Sequence, residues 1–223
     1  MALKSNSLKK LINKFKENEI LSKGSSAFVF KIIGSLLGYV FLLLVTRNLG
    51  AEVWGVFALC MALLNIISIL SRFGVDIALL RFVAQLKGKM EEVKGIYFQG
   101  ISLVLFLSFL FSGLLFFFSH IVAELIFHKP HLTPYFKVIA FVLIPFTIIH
   151  VNVQTYRGLK RIKEFAFFQH TAKFLFSVII FVLLFYLTNI DPITIAIYSF
   201  LFAVFIVMII SSYGLLKSFR GIQ

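Results

Sequence analysis

Six apolar runs decide what this chain can fold into. They lie at about residues 27–45, 53–70, 96–118, 136–153, 168–187 and 193–216. Each is about 17–25 residues long, the length that carries an α-helix across a hydrocarbon core. Lipid offers no partner to backbone N–H and C=O groups, so the helix is the required form there. With 60% hydrophobic residues and a mean hydropathy of +1.00, the chain does not read as a soluble domain. The expected fold class is all-α integral membrane. A six-helix transmembrane bundle (26–223) follows a basic segment (1–25).

The net charge of +13 would point to nucleic acid in a soluble protein. Here the basic residues fall between the apolar runs, so they report topology and no nucleic-acid partner is expected. Lys4, Lys9, Lys10, Lys14, Lys16 and Lys23 precede the first run. Arg72, Arg81, Lys87, Lys89 and Lys94 follow the second, Arg157, Lys160, Arg161 and Lys163 follow the fourth, and Lys217 and Arg220 close the chain. The opposite side carries Arg47, Lys129 and Lys137 alone. The positive-inside rule then places both termini in the cytoplasm. In residues 1–25, Leu8, Leu11, Ile12 and Phe15 repeat at helical spacing among lysines. They predict an amphipathic helix on an anionic leaflet; a disordered basic tail is the alternative. No small-residue cleavage pattern follows the first run, so no cleavable signal is expected. Tyr97, Tyr156 and Tyr213 are expected at the inner interface and Trp54, Tyr135 and Tyr186 at the outer one. Cys60 is the sole cysteine, which excludes an internal disulfide.

Two polar corners flank the second run. The first reads Thr46-Arg47-Asn48-Leu49-Gly50-Ala51-Glu52 and continues to Gly55 and Phe57. The second reads Phe73-Gly74-Val75-Asp76, then Ala78-Leu79-Leu80-Arg81-Phe82-Val83-Ala84. Gly50 and Gly74 permit backbone angles that other residues resist. In this order and one span apart, these corners resemble the polysaccharide transport family. That family includes the O-antigen and lipid-linked oligosaccharide flippases of the multidrug/oligosaccharidyl-lipid/polysaccharide exporter superfamily. The basic connection Arg157-Gly158-Leu159-Lys160-Arg161 is similar to the loop after that family's fourth span. The resemblance covers the N-terminal six-helix half of a family member and implies one lobe of a MATE-like exporter fold. It also implies a polyprenyl-linked oligosaccharide as substrate, alternating access, membrane lipids as partners, and the cytoplasmic (inner) membrane as location. A homodimer or a separately encoded second six-helix half would complete the cavity. Multidrug members of the superfamily carry an acidic residue in the first span for the coupling cation. This first span has none, so the coupling ion is unassigned and no cofactor is expected.

Candidate pathway residues follow from charge at membrane depth. Lys31 and Lys173 fall inside the first and fifth runs, where a cation costs about 2.5–3.5 kcal/mol at the bilayer centre unless it faces water or reaches the interface. Arg72 and Asp76, four apart, can pair if the segment stays helical. Arg72 also suits phosphate oxygens, and related lipid II flippases carry cavity arginines near the same two helices. Asn65, Ser68 and Ser71, three apart, are expected on one helix face, for interhelical bonds or sugar hydroxyls. His150, Asn152, Gln154, Gln169 and His170 form either a cavity floor or an interfacial band. Gly34 and Gly38 predict a close helix crossing, and Pro145 interrupts the fourth run. His120, Glu124, His128 and His131 form no metal motif, since Pro130 separates the last two.

No catalytic Ser/His/Asp set, phosphate-binding loop or paired cysteines occur, so no enzyme is expected. The sequence leaves two functions open. One is a flippase, or half of one, for a lipid-linked oligosaccharide. The other is a truncated or non-transporting partner in an envelope-polysaccharide complex.

Overall fold

A computed structural model describes residues 2–86, 89–187 and 191–220, the side chains of 2–23 and of Arg220 excepted. The expected amphipathic face of Leu8, Leu11, Ile12 and Phe15 therefore lies outside the described residues, as does Lys87. The helices are α1 (Ala2–Leu49), α2 (Ala51–Arg72), α3 (Val75–Gln85), α4 (Met90–Ile121), α5 (Thr133–Gly158), α6 (Ile162–Leu187) and α7 (Pro192–Arg220). All but α3 are long and apolar enough to cross a membrane. They coincide with the six expected runs and extend beyond them. The third grows at both ends, because Glu91 and Glu92 favour the start of α4 and a π-helical turn, Val122–Ile126, prolongs its end.

One short helix was not expected. The backbone turns left-handed at Phe73 (φ +44°) and Gly74 (φ +80°), which ends α2 and starts α3 at a new angle. Asp76, Leu79 and Val83 of α3 are buried, while Ile77, Arg81 and Phe82 are exposed. The helix thus lies with one face on α5 and α4 at the basic end of the bundle. Only glycine holds φ +80° without strain. Gly74→Ala should therefore cost about 1–2 kcal/mol, read as a lower melting temperature in detergent. An unchanged melting temperature would contradict the strain argument.

α5 is the central element. Of its most apolar window 67% is buried, against 17–44% for the other five spans. It packs on α2, α3, α4 and α7, and it runs unbroken through Pro145. Several of its polar groups are matched across helices. Asn152 accepts a hydrogen bond from the Tyr97 hydroxyl of α4 (2.7 Å). It donates to Ser211 Oγ (3.0 Å) and Ser212 Oγ (2.9 Å) of α7. The Tyr156 hydroxyl donates to Ser211 O (2.9 Å), and Ser112 Oγ of α4 donates to Ala140 O (2.6 Å). Tyr97 and Tyr156 are thus core residues, 2% and 1% exposed, rather than the interfacial anchors their positions suggested. A phenol at the edge of a span satisfies its hydroxyl with a neighbouring helix as readily as with water. Tyr186 and Tyr213 are exposed.

Candidate functional site

The membrane-spanning part of the bundle holds a polar cleft of about 150 Å³. α1 contributes Lys31, Gly34 and Ser35; α6 contributes Gln169, His170, Lys173 and Phe174. Met61 of α2 and Phe200 of α7 form its apolar wall. The two helices that carry the lysines meet closely. Thr171 Oγ1 donates to Phe30 O at 2.8 Å, and a Cβ built on Gly34 would lie 2.3 Å from His170 O. The expected close crossing at Gly34 is therefore present, and α6 is the neighbour. Gly38 is looser, with the Phe174 ring at ordinary contact distance. At the crossing α6 widens into a π-helical turn, Phe167–Thr171, which carries Gln169 and His170.

The structure brings Lys31 and Lys173 into one cleft. Lys31 is exposed and Lys173 half-buried. Neither pairs with a carboxylate among the described residues. The Lys173 ammonium lies 4.8 Å from the centre of the Phe146 ring, which also packs edge to face with His150, 4.8 Å between centroids. A cation–π contact contributes about 0.5–2 kcal/mol. That is less than the roughly 2.5–3.5 kcal/mol a cation costs at the bilayer centre. The balance is left for water or an anion in the cleft.

Arg72 and Asp76 stand apart from the cleft. Arg72 Nη1 donates to Asp76 Oδ2 at 2.8 Å, and Arg72 Nε donates to Ser68 O at 3.0 Å. The pair forms although the helix does not continue: it bridges the break at Phe73 and Gly74 and fastens α3 to the end of α2. Both side chains are mostly buried, at 13% and 11% exposure. Asp76→Asn should cost about 1–2 kcal/mol by leaving the guanidinium without its counter-charge. The double change Arg72→Met/Asp76→Asn should cost less than the sum of the singles in thermal unfolding. Additive losses would mean the pair contributes nothing.

The serine face expected with Asn65 divides. Three-residue steps drift by about 60° each on a helix, so Asn65 is exposed while Ser68 and Ser71 are buried. Asn65 Nδ2 donates to O of Met61, one turn away and in the cleft wall. The polar group around α5 and α6 divides as well. Gln169 and His170 line the cleft, and Asn152 belongs to the core network. His150 Nε2 and Gln154 Oε1 are buried, and neither has a hydrogen-bond partner among the described residues. Ser35 was not anticipated as a lining residue. Its signal was its position four residues after Lys31, on the same face of α1.

A bundle of six apolar helices with two lysines in one cleft defines a multi-pass membrane protein. The chain belongs to the polysaccharide biosynthesis protein family, whose model matches residues 20–223. That family is one of polysaccharide transporters, not of enzymes. No curated protein and no solved structure matches the chain.

Proposed function

We propose that this chain is one six-helix lobe of a flippase that moves a polyprenyl-linked oligosaccharide across the cytoplasmic membrane. One observation carries the reading: Lys31 and Lys173 share a membrane-embedded cleft without a carboxylate partner among the described residues. Two ammonium groups suit the phosphate oxygens of a lipid-linked sugar. Closed by a second lobe, the cleft shields them from hydrocarbon, where an unmatched polar group costs several kcal/mol. Asn65 stands one turn from the cleft wall and offers its side-chain oxygen to a sugar hydroxyl. Arg72 and Asp76 hold the mouth of the path at the basic end, which the positive-inside rule assigns to the cytoplasm. A second lobe, either another copy or another six-helix segment, faces the cleft and closes it. Rocking of the two lobes then exposes the cleft to each side in turn.

The test uses liposomes reconstituted with the protein and a fluorescent polyprenyl-diphosphate oligosaccharide, with glycosidase access read from outside. The expected result is protein-dependent transfer of label between leaflets, by a complex whose mass contains two lobes. Transfer no faster than in empty liposomes, from a complex of that mass, would sink the reading.

A further inference from the structure

Spans that line a transport path either slide against one another or move as one body. The contact between α1 and α6 has the features of the second case. At Gly34 the two backbones approach so closely that a single added carbon would lie 2.3 Å from the His170 carbonyl oxygen. One turn earlier, the Thr171 hydroxyl reaches across to the Phe30 carbonyl at 2.8 Å. Phe30 and Phe167 pack edge to face beside it, with centroids 5.9 Å apart. The π-helical turn of α6 sits at this crossing, and such wide turns recur at functional sites. Lys31 directly follows Phe30, and Lys173 lies two residues after Thr171. The atoms that fasten the two helices are therefore the immediate neighbours of both lysines.

We propose that Gly34 and Thr171 are positioning residues. They clamp α1 to α6 so that Lys31 and Lys173 face each other at a fixed spacing, and α1 and α6 travel together during transport. The inference rests on the reading of the cleft as an anion site only for its benefit to function. The clamp itself is a statement of geometry. A β-carbon at residue 34 must push α1 away, since it would meet a backbone carbonyl at 2.3 Å and Cβ atoms essentially never approach within 3.0 Å. A valine at 171 removes the hydroxyl bond while keeping the shape. A serine restores it.

Two measurements on the full chain in nanodiscs separate the clamp from the function. The first is cross-linking of Lys31 to Lys173 with a short amine-reactive reagent, quantified by peptide mass spectrometry. The native protein and Thr171→Ser should give the cross-link, whereas Gly34→Ala and Thr171→Val should lose more than half of it. The second is binding of inorganic pyrophosphate by calorimetry. Gly34→Ala should weaken it by about tenfold, equivalent to about 1.4 kcal/mol. In a Lys31→Gln background the same change should have little further effect, because the lysine it displaces is gone. An unchanged cross-link in both Gly34→Ala and Thr171→Val would overturn the clamp whatever the binding shows. Equal binding losses with and without Lys31 would reduce it to a packing contact. Cross-linking that follows the clamp in a native protein that binds no pyrophosphate would keep the clamp and sink the anion reading.

Discussion

Lys173→Met should abolish transport while leaving the protein as abundant and at least as stable as before. Truncating one member of a desolvated charge interaction costs about 2–5 kcal/mol, so the flipping rate should fall by thirtyfold or more at subsaturating substrate. The same substitution removes an ammonium that has an aromatic ring but no carboxylate partner among the described residues. It spares the bundle a cost of about 2.5–3.5 kcal/mol at full depth, so the melting temperature should hold or rise. The combination is diagnostic, since a residue that mattered for folding would lower both. Lys31→Gln should follow with a smaller loss, since Lys31 is exposed and close to the basic end. The readouts are leaflet transfer in liposomes, membrane abundance by immunoblot and thermal unfolding in detergent. Transport that survives Lys173→Met at native abundance would remove this residue from the path.

Asn152→Ala should have the opposite signature, with large loss of stability and no selective effect on the substrate. Asn152 holds three interhelical hydrogen bonds, one to Tyr97 and two to Ser211 and Ser212. Interhelical bonds in membranes contribute about 0.6–1.7 kcal/mol each. The change also strands the buried Tyr97 hydroxyl at about 1–3 kcal/mol. The expected total is about 3–8 kcal/mol. Tyr97→Phe should cost only about 1 kcal/mol, because it removes one bond and leaves Asn152 two partners. Thermal unfolding measures both. If Tyr97→Phe equals Asn152→Ala, the network hinges on the tyrosine and the argument fails.

The six spans were legible because lipid demands long apolar helices, and the corners at Gly50 and Gly74 marked where they end. The inward face of each span was harder to read. In a soluble protein the solvent sorts polar from apolar faces. In a membrane both the core and the surroundings are apolar, and the pattern that would separate them is weak. That is why Tyr97 and Tyr156 read as interfacial, and why Asn65 read as one face with Ser68 and Ser71. Charge remained informative, because it is costly wherever it stands in hydrocarbon. Lys31 and Lys173 could be picked out singly for that reason, although only the folded chain shows that they share a cleft. α3 escaped notice because it is short and one of its faces rests on protein. Its Arg72–Asp76 bond spans a break where an unbroken helix was the natural assumption.

The burial of α5 also bears on how the chain is made. During synthesis α5 leaves the ribosome before α7 exists, and the serines that satisfy Asn152 arrive some 60 residues later. Until then α5 has only α6 and the helices before it to shelter a side-chain amide from lipid. The bundle therefore closes late, on the arrival of its last helix, and a nascent chain halted before α7 leaves the Asn152 amide nitrogen without its two serine acceptors.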